Sequence, residues 1–141
     1  MKHKTRLIDL SIITVILITI ILIVFIFFNE FKKNNAIKIS KKNFNFVKVQ
    51  IELELNNCDF KNEDLIFTSS CENFPNINEI QNYFNNKIKL INAHNGKKGI
   101  DNEIPGSIIL EKSGREISMS IDYDLDGSID VNHKIIFKKN K

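Results

Sequence analysis

The chain has 141 residues, with 20 lysines and arginines against 17 acidic residues and a formal net charge of +3. Lysine outnumbers arginine 18 to two, and isoleucine, asparagine and phenylalanine are abundant, which is typical of an A+T-rich genome. Since no arginine cluster with interleaved aromatic residues occurs, we expect no nucleic-acid partner. The sequence also has no nucleophile motif, phosphate-binding glycine loop or zinc-ligand spacing, so we predict that it is not an enzyme.

The first predicted element is a membrane helix. A basic head, residues 1–6, precedes the uncharged run Leu10–Phe28, nineteen residues long. As a helix this run would measure about 28 Å, close to the hydrocarbon thickness of a bilayer. The apolar region of a cleaved signal is about 7–15 residues long and is followed by small residues. This run is longer, and no small residues follow it. We therefore predict an uncleaved single span, since a domain of this size could not cover a core helix on every side.

The orientation of this span is indicated less directly. Lysines flank both ends, so the positive-inside rule does not decide between them. A six-residue tail is easily kept in the cytoplasm, and a spaced cysteine pair in an exported domain is typical of a disulfide. We expect a Cys58–Cys71 disulfide, with two unpaired thiols as the alternative. The predicted location is the bacterial inner membrane, with the C-terminal domain periplasmic or extracellular.

The segment after the span has two interpretations. Residues 29–43 form a polar collar rich in lysine and asparagine. Beyond it, apolar residues alternate with polar ones as in a strand: Val47, Val49, Ile51, Leu53 and Leu55. Other apolar residues recur at helical spacing: Phe44, Val47, Ile51, Leu55 and Cys58. The pattern alone leaves open a strand or a helix that continues from the membrane segment to about Asn56.

The middle of the chain is predicted to be mostly irregular. Leu65–Phe67 is a candidate short strand. Pro75–Glu79 is expected to open a helix that ends near Asn85–Asn86. Its apolar face would consist of Ile77, Ile80 and Phe84. Residues 92–105 are polar and are predicted to form a loop.

The last third is predicted to be an antiparallel meander. A two-residue turn at Ser113–Gly114 would pair Leu110 with Ile117 and Ile108 with Met119. In the next hairpin the alternating apolar positions, from Ile117 to Phe137, are odd-numbered, which requires a connection of odd length. Such a connection, Asp126-Gly127-Ser128, pairs Leu125 with Ile129 and Tyr123 with Val131. It also places Asp124 opposite Asp130, and like charges across a strand pair favour a positive group between them.

The segment Asp122–Asp130 matches the opening of a calcium loop, D-x-D-x-D-G-x-I-x. Calcium takes six to eight hard oxygen ligands, which closely spaced carboxylates around a glycine turn supply. The candidate ligands are Asp122, Asp124, Asp126, Ser128 (through its carbonyl) and Asp130. His133 stands at the twelfth position in place of glutamate, and no helices flank the loop, so an EF-hand is not expected. An acidic surface hairpin without a cation is the alternative.

The layout and the opening Leu7-Ile8-Asp9-Leu10 resemble type IV pilins and the pseudopilins of type II secretion. In that family a similar L-I-E-L opening occurs, and its carboxylate pairs with the amino terminus of a neighbouring subunit. The resemblance implies this assembly role for Asp9. The processing site is not matched, because Lys4 replaces the glycine before the mature start, and Thr5 and Arg6 replace the usual phenylalanine and threonine.

The resemblance also implies an architecture and a function. It favours a helix over Phe44–Cys58 and fits the calcium loop, because major pseudopilins commonly hold calcium in C-terminal loops. The expected fold class is α+β, a transmembrane helix extended into a stem and followed by a small domain with a C-terminal three-stranded antiparallel sheet. The boundaries are 1–6 (cytoplasmic head), 7–28 (transmembrane helix), 29–57 (polar stem) and 58–141 (exported domain). We expect a structural subunit that associates with lipid and with like or related subunits, or else a membrane-tethered periplasmic binding or adaptor domain.

Overall fold

The computed structural model describes residues 2–59, 65–68, 71, 76–114 and 116–136. Its helices are α1 (Lys2–Asp59) and α2 (Ile77–Asn82), and a π-helical turn (Tyr83–Lys87) continues α2. The strands are β1 (Ile109–Ser113), β2 (Glu116–Ile121) and β3 (Val131–Ile136). The fold class is α+β, as predicted. The chain divides into two compact units, residues 1–35 and 36–141.

The first unit contains the apolar half of α1. Among the described residues, α1 is long and apolar enough to cross a membrane, a property that signal sequences share, and none of its most apolar window is buried. The hydroxyls of Thr14 and Thr19 donate to the carbonyls of Leu10 and Val15, both at 2.8 Å. These two polar groups are therefore satisfied within the helix, as a helix in lipid requires.

In the second unit, α1 forms one wall of the core, which confirms the helix over Phe44–Cys58. Its buried positions recur every three or four residues: Ala36, Ser40, Phe44, Val47, Ile51 and Glu54. This spacing places them on one helical face. The alternation that suggested a strand arises because Val49 and Leu53 lie on the opposite face, where they are 49% and 44% exposed.

The short helix packs against this wall through the predicted residues. Asn76 caps α2, since its side chain accepts from the backbone N–H of Asn78 at 3.1 Å. Ile80 and Phe84 are fully buried in the core cluster, and Ile77 packs against it. Pro75, expected to open the helix, lies outside the described residues. The π-helical turn carries the element to Lys87, slightly beyond the predicted end.

The sheet has the order β1-β2-β3 and is antiparallel throughout. In the first hairpin Leu110 pairs with Met119 and Lys112 with Ile117, so the predicted pairing of Leu110 with Ile117 is wrong by two residues. The turn lies one residue later because Gly114, at φ +58°, supplies the left-handed conformation at the first loop position. A two-residue shift keeps the same side chains on the core face.

The second hairpin also differs from its predicted register. Ile121 pairs with Val131 and Met119 with His133, so the pairing of Tyr123 with Val131 is wrong. Pairing of odd with odd positions is correct. The strands separate at Ile121, whose carbonyl accepts from the N–H of Asp130 at 3.1 Å. The segment 122–130 is therefore a loop rather than the ends of two strands.

The short strand expected at Leu65–Phe67 is not formed. The backbone N–H groups of Ile66, Phe67 and Thr68 all donate to the carboxylate of Glu54 on α1. Because these donors point at one side chain, they are not available to a strand ladder. This segment is instead a carboxylate-bound turn on the wall of the core.

Candidate metal centre

Three of the predicted ligands come together in the loop between β2 and β3. Asp122, Asp124 and Asp130 each offer a carboxylate oxygen, and these oxygens lie within 4.8 Å of one another. Asp126 is not in the group. Its carboxylate accepts from the N–H and the hydroxyl of Ser128, at 2.8 and 2.6 Å.

The loop holds its shape through hydrogen bonds from its own backbone to these carboxylates. Asp122 accepts from the N–H groups of Leu125 and Gly127, at 2.7 and 2.9 Å. Asp124 accepts from Asp126 N–H at 3.2 Å, and Asp130 accepts from the N–H of Tyr123. Aspartate favours such local bonds to the residues that follow it, which is why the sequence folds this way. Gly127 (φ +89°) and Leu125 (φ +63°) take the left-handed conformation that the reversal needs.

This arrangement could hold a metal ion. Asp122 and Asp124 are half-buried and Asp130 is exposed. In the described part of the structure no basic side chain forms an ion pair with any of the three. Each carboxylate oxygen has more than one lone pair, so an oxygen that accepts an N–H bond still has an acceptor site for a cation. A hard cation with oxygen ligands fits this donor set.

His133, which replaces the glutamate of an EF-hand, serves a different contact. Its Nε2 lies 3.2 Å from Oε1 of Glu52, which joins β3 to α1. Both side chains are about a third or more exposed. The residue at the twelfth position of the calcium-loop pattern thus forms a contact between the sheet and the helix.

Tyr123 connects the loop of residues 122–130, which we call the acidic loop, to the core. Its ring is buried, lies edge-on to Phe44 with centroids 6.3 Å apart, and has the ammonium of Lys41 at 5.4 Å. Burial raises the pKa of the Tyr123 phenol above 10.0, and the negative charge of Asp130 raises this pKa further.

At the far end of β3, the hydrogen bond from Lys134 to Glu116 (2.8 Å) raises the pKa of the Lys134 ammonium.

The predicted cysteine pair is bonded. Cys58 and Cys71 form a disulfide with their Cα atoms 5.4 Å apart. The predicted assembly residue Asp9 lies in α1, but its side chain is outside the described part of the structure.

The buried carboxylate of Glu54 was not predicted from the sequence. This side chain is 0% exposed and accepts from Ile66, Phe67 and Thr68 at 2.6, 3.1 and 2.7 Å. A signal was present, because Glu54 continues the helical spacing of Val47 and Ile51 toward Cys58. A charged residue on an apolar face indicates a buried anion with dedicated donors.

Three asparagines were also missed. The amide of Asn85 bonds both N–H and C=O of Ile100, and that of Asn102 bonds both groups of Leu110. Asn92, buried, bonds Pro105 O, Ser107 Oγ and His94 N–H. These amides complete the backbone pairing of the loops beside β1, where the neighbouring sequence pattern gives no indication of their partners.

No protein-family model matches the chain, and comparison with curated proteins and with solved structures also finds no match.

Proposed function

We propose that this protein is a single-pass, membrane-anchored structural subunit of pilin-like or pseudopilin-like type, acting in a filament or a secretion apparatus. The observation that carries the proposal is the contrast between the two halves of α1. The first half presents apolar side chains that are exposed among the described residues from Leu10 to Phe28, and the second half forms the wall of a small disulfide-bonded α+β domain. A long N-terminal helix shared in this way is consistent with pilin-like architecture.

The proposed mechanism is assembly rather than catalysis. The apolar segment 10–28 lies in lipid and packs against the corresponding segments of like or related subunits. Asp9 neutralises the amino terminus of a neighbouring subunit, as the resemblance implies. The domain lies on the periplasmic or extracellular side and binds no nucleic acid.

A calcium ion in the acidic loop is part of this proposal. Asp122, Asp124 and Asp130 would hold it, with the carbonyl of Ser128 as a further candidate. The ion would offset two of the three negative charges of carboxylates that have no basic partner in the described residues, and it would stabilise the loop that closes onto Tyr123. Its role would be structural.

Cysteine crosslinking tests the assembly mechanism. Two cysteines introduced at Ile13 and Ile20, within the apolar segment, should give a ladder of oligomers on mild oxidation of native membranes if the helices bundle. A matched pair at the exposed loop residues Asn95 and Glu103 reports random collision and should stay largely monomeric. Monomer from every pair along residues 10–28 would contradict the proposal.

A second candidate function is a membrane-tethered periplasmic binding or adaptor domain that never polymerises. The observation that favours it is the start of the chain, where Lys4, Thr5 and Arg6 do not match the prepilin processing site. Mass spectrometry of the native protein separates the two. Cleavage or N-methylation at residues 4–5 supports the pilin-like subunit, whereas an unprocessed chain together with monomeric crosslinking supports the adaptor.

A further inference from the structure

Helix α1 and the segment that follows it are joined twice, at neighbouring positions. The first connection is the Glu54 carboxylate, which accepts from the backbone N–H groups of Ile66, Phe67 and Thr68. The second is the disulfide between Cys58 and Cys71. Cys58 lies one helical turn after Glu54, and Cys71 lies three residues after Thr68.

We propose that Glu54 is a positioning residue for this disulfide: its carboxylate, bound to the three N–H groups, holds the reduced chain so that Cys71 stays beside Cys58. We call this set of hydrogen bonds the Glu54 clamp. It is a conformational device that acts before the covalent bond exists and persists after the bond is reduced.

The spacing explains how the clamp would work. Four residues of helix separate the two anchor points on α1 by about 6 Å. Three residues of chain span at most about 10 Å, so a fixed Thr68 confines Cys71 to the neighbourhood of Cys58. The clamp therefore closes most of the loop in advance, and the entropy cost that remains for the disulfide is that of a short segment.

The burial of the clamp explains why it would hold without the disulfide. Glu54 is fully buried and Thr68 is 6% exposed. Hydrogen bonds to an ionised acceptor are stronger than neutral ones, and water competes little at a buried site. Phe67 also packs against the core, with its ring centroid 5.7 Å from that of Phe84. Cys71, in contrast, is exposed, so a small thiol or disulfide can reach it.

The reaction that the clamp would favour is oxidation by glutathione disulfide. One protein thiolate attacks a sulfur of glutathione disulfide and releases one glutathione thiolate. The second protein thiolate then attacks the mixed disulfide and releases the other glutathione. Two protein thiols are oxidised to one disulfide, and one glutathione disulfide is reduced to two thiols. The clamp changes only the second step, because this step requires the two cysteines to be close.

The test is the equilibrium of the full chain in detergent micelles with glutathione buffers. The fraction oxidised is measured by alkylation and mass spectrometry. We expect Glu54→Gln to lower the oxidation equilibrium constant about ten-fold, which is about 30 mV for a two-electron couple. Glu52→Gln makes the same charge change on the same helix without touching residues 66–68 and should leave the constant unchanged. Ile51→Val should lower the melting temperature but not the constant, which separates positioning from general destabilisation.

Hydrogen exchange on the reduced wild-type chain gives a second test, which does not require the variant to fold. We expect the amides of Ile66, Phe67 and Thr68 to remain protected after the disulfide is reduced. Loss of that protection would show that the disulfide holds the clamp rather than the reverse, and would overturn the proposal. An unchanged equilibrium constant in a folded Glu54→Gln variant would also overturn it.

Discussion

Asn92 ties two loops of the domain together through its side chain. The residue is 3% exposed, and its amide bonds the carbonyl of Pro105, the hydroxyl of Ser107 and the N–H of His94. The loops beside β1 contain two isolated bridges, Ile91–Lys98 and Ile100–Ile108. Side-chain amides therefore supply pairing that a further strand would otherwise supply.

We expect Asn92→Ala to destabilise the domain by about 2 kcal/mol, because it removes three hydrogen bonds at a buried or half-buried site. Asn95→Ala is the matched control. Asn95 is exposed in the same loop and makes one local bond, to the N–H of Lys97, so its loss should cost a few tenths of a kcal/mol. Denaturant unfolding followed by circular dichroism measures both. Equal effects from the two variants would contradict the role assigned to Asn92.

The raised pKa of Tyr123 predicts how the stability of the domain changes at alkaline pH. Burial, and then Asp130, raise the pKa of this phenol above its unfolded value of 10.0. Its contribution is therefore complete below about pH 10 and is lost as the pH rises through the folded pKa, because the unfolded state then releases its proton first. The melting temperature of Tyr123→Phe should fall less than that of the wild type over this window. Parallel pH profiles for the two proteins would contradict this assignment.

Glu54 shows the limit of prediction at the residue level. Its position on the apolar face could be read from the sequence, but its partners could not. The three donors are backbone N–H groups 12 to 14 residues away. Every residue except proline has such a group, so a sequence pattern does not indicate which ones bind a side chain. The cysteine pair was predictable because both partners are themselves rare residues.

At the scale of elements, α1 shows how tertiary packing decides between two periods. Residues 44–58 fit a strand and a helix equally well in the sequence. The helix forms because Phe44, Val47 and Ile51 then share the face that the sheet and α2 cover. Val49 and Leu53, which completed the strand pattern, are left exposed. The resemblance to pilins gave the correct choice where the pattern gave none.

The two hairpins show which part of a register is predictable. The face of each strand was correct, because apolar alternation fixes parity. Both pairings were wrong by two residues, since parity does not distinguish registers that differ by two. The first was fixed by the left-handed Gly114 and the second by the aspartates that end β2 at Ile121. Turn chemistry therefore decides what periodicity leaves open.

The acidic loop gives a prediction that distinguishes the aspartates of the sequence motif from those that the structure brings together. Calcium at about 100 times its dissociation constant should stabilise the domain by about 2.7 kcal/mol, seen as a melting temperature several degrees higher. Asp124→Asn should abolish this increase. Asp126→Asn should preserve it, because Asp126 is not among the three clustered aspartates. In the variant an amide oxygen can still accept from Ser128. A melting temperature indifferent to calcium and to chelator would remove the metal from the account.

At the scale of the whole molecule, the sequence predicted the architecture better than it predicted the contacts between loops. Nineteen uncharged residues, a cysteine pair and an alternating C-terminal third were sufficient to predict an apolar N-terminal helix, a disulfide and an antiparallel sheet. These features depend on residue type over long stretches. The contacts between loops depend on individual amides and backbone groups, which is why they emerged only in the structure.

The proposal depends on lipid as the solvent of the first half of α1. Alkaline carbonate extraction of membranes from cells that produce the full chain tests this, with intact-mass measurement of each fraction. We expect the intact chain in the membrane pellet, and a variant with lysines at Ile16 and Ile20 to lose membrane retention, since each lysine near the centre of a span costs about 3 kcal/mol. Intact, monomeric wild-type chain in the detergent-free supernatant would contradict the account.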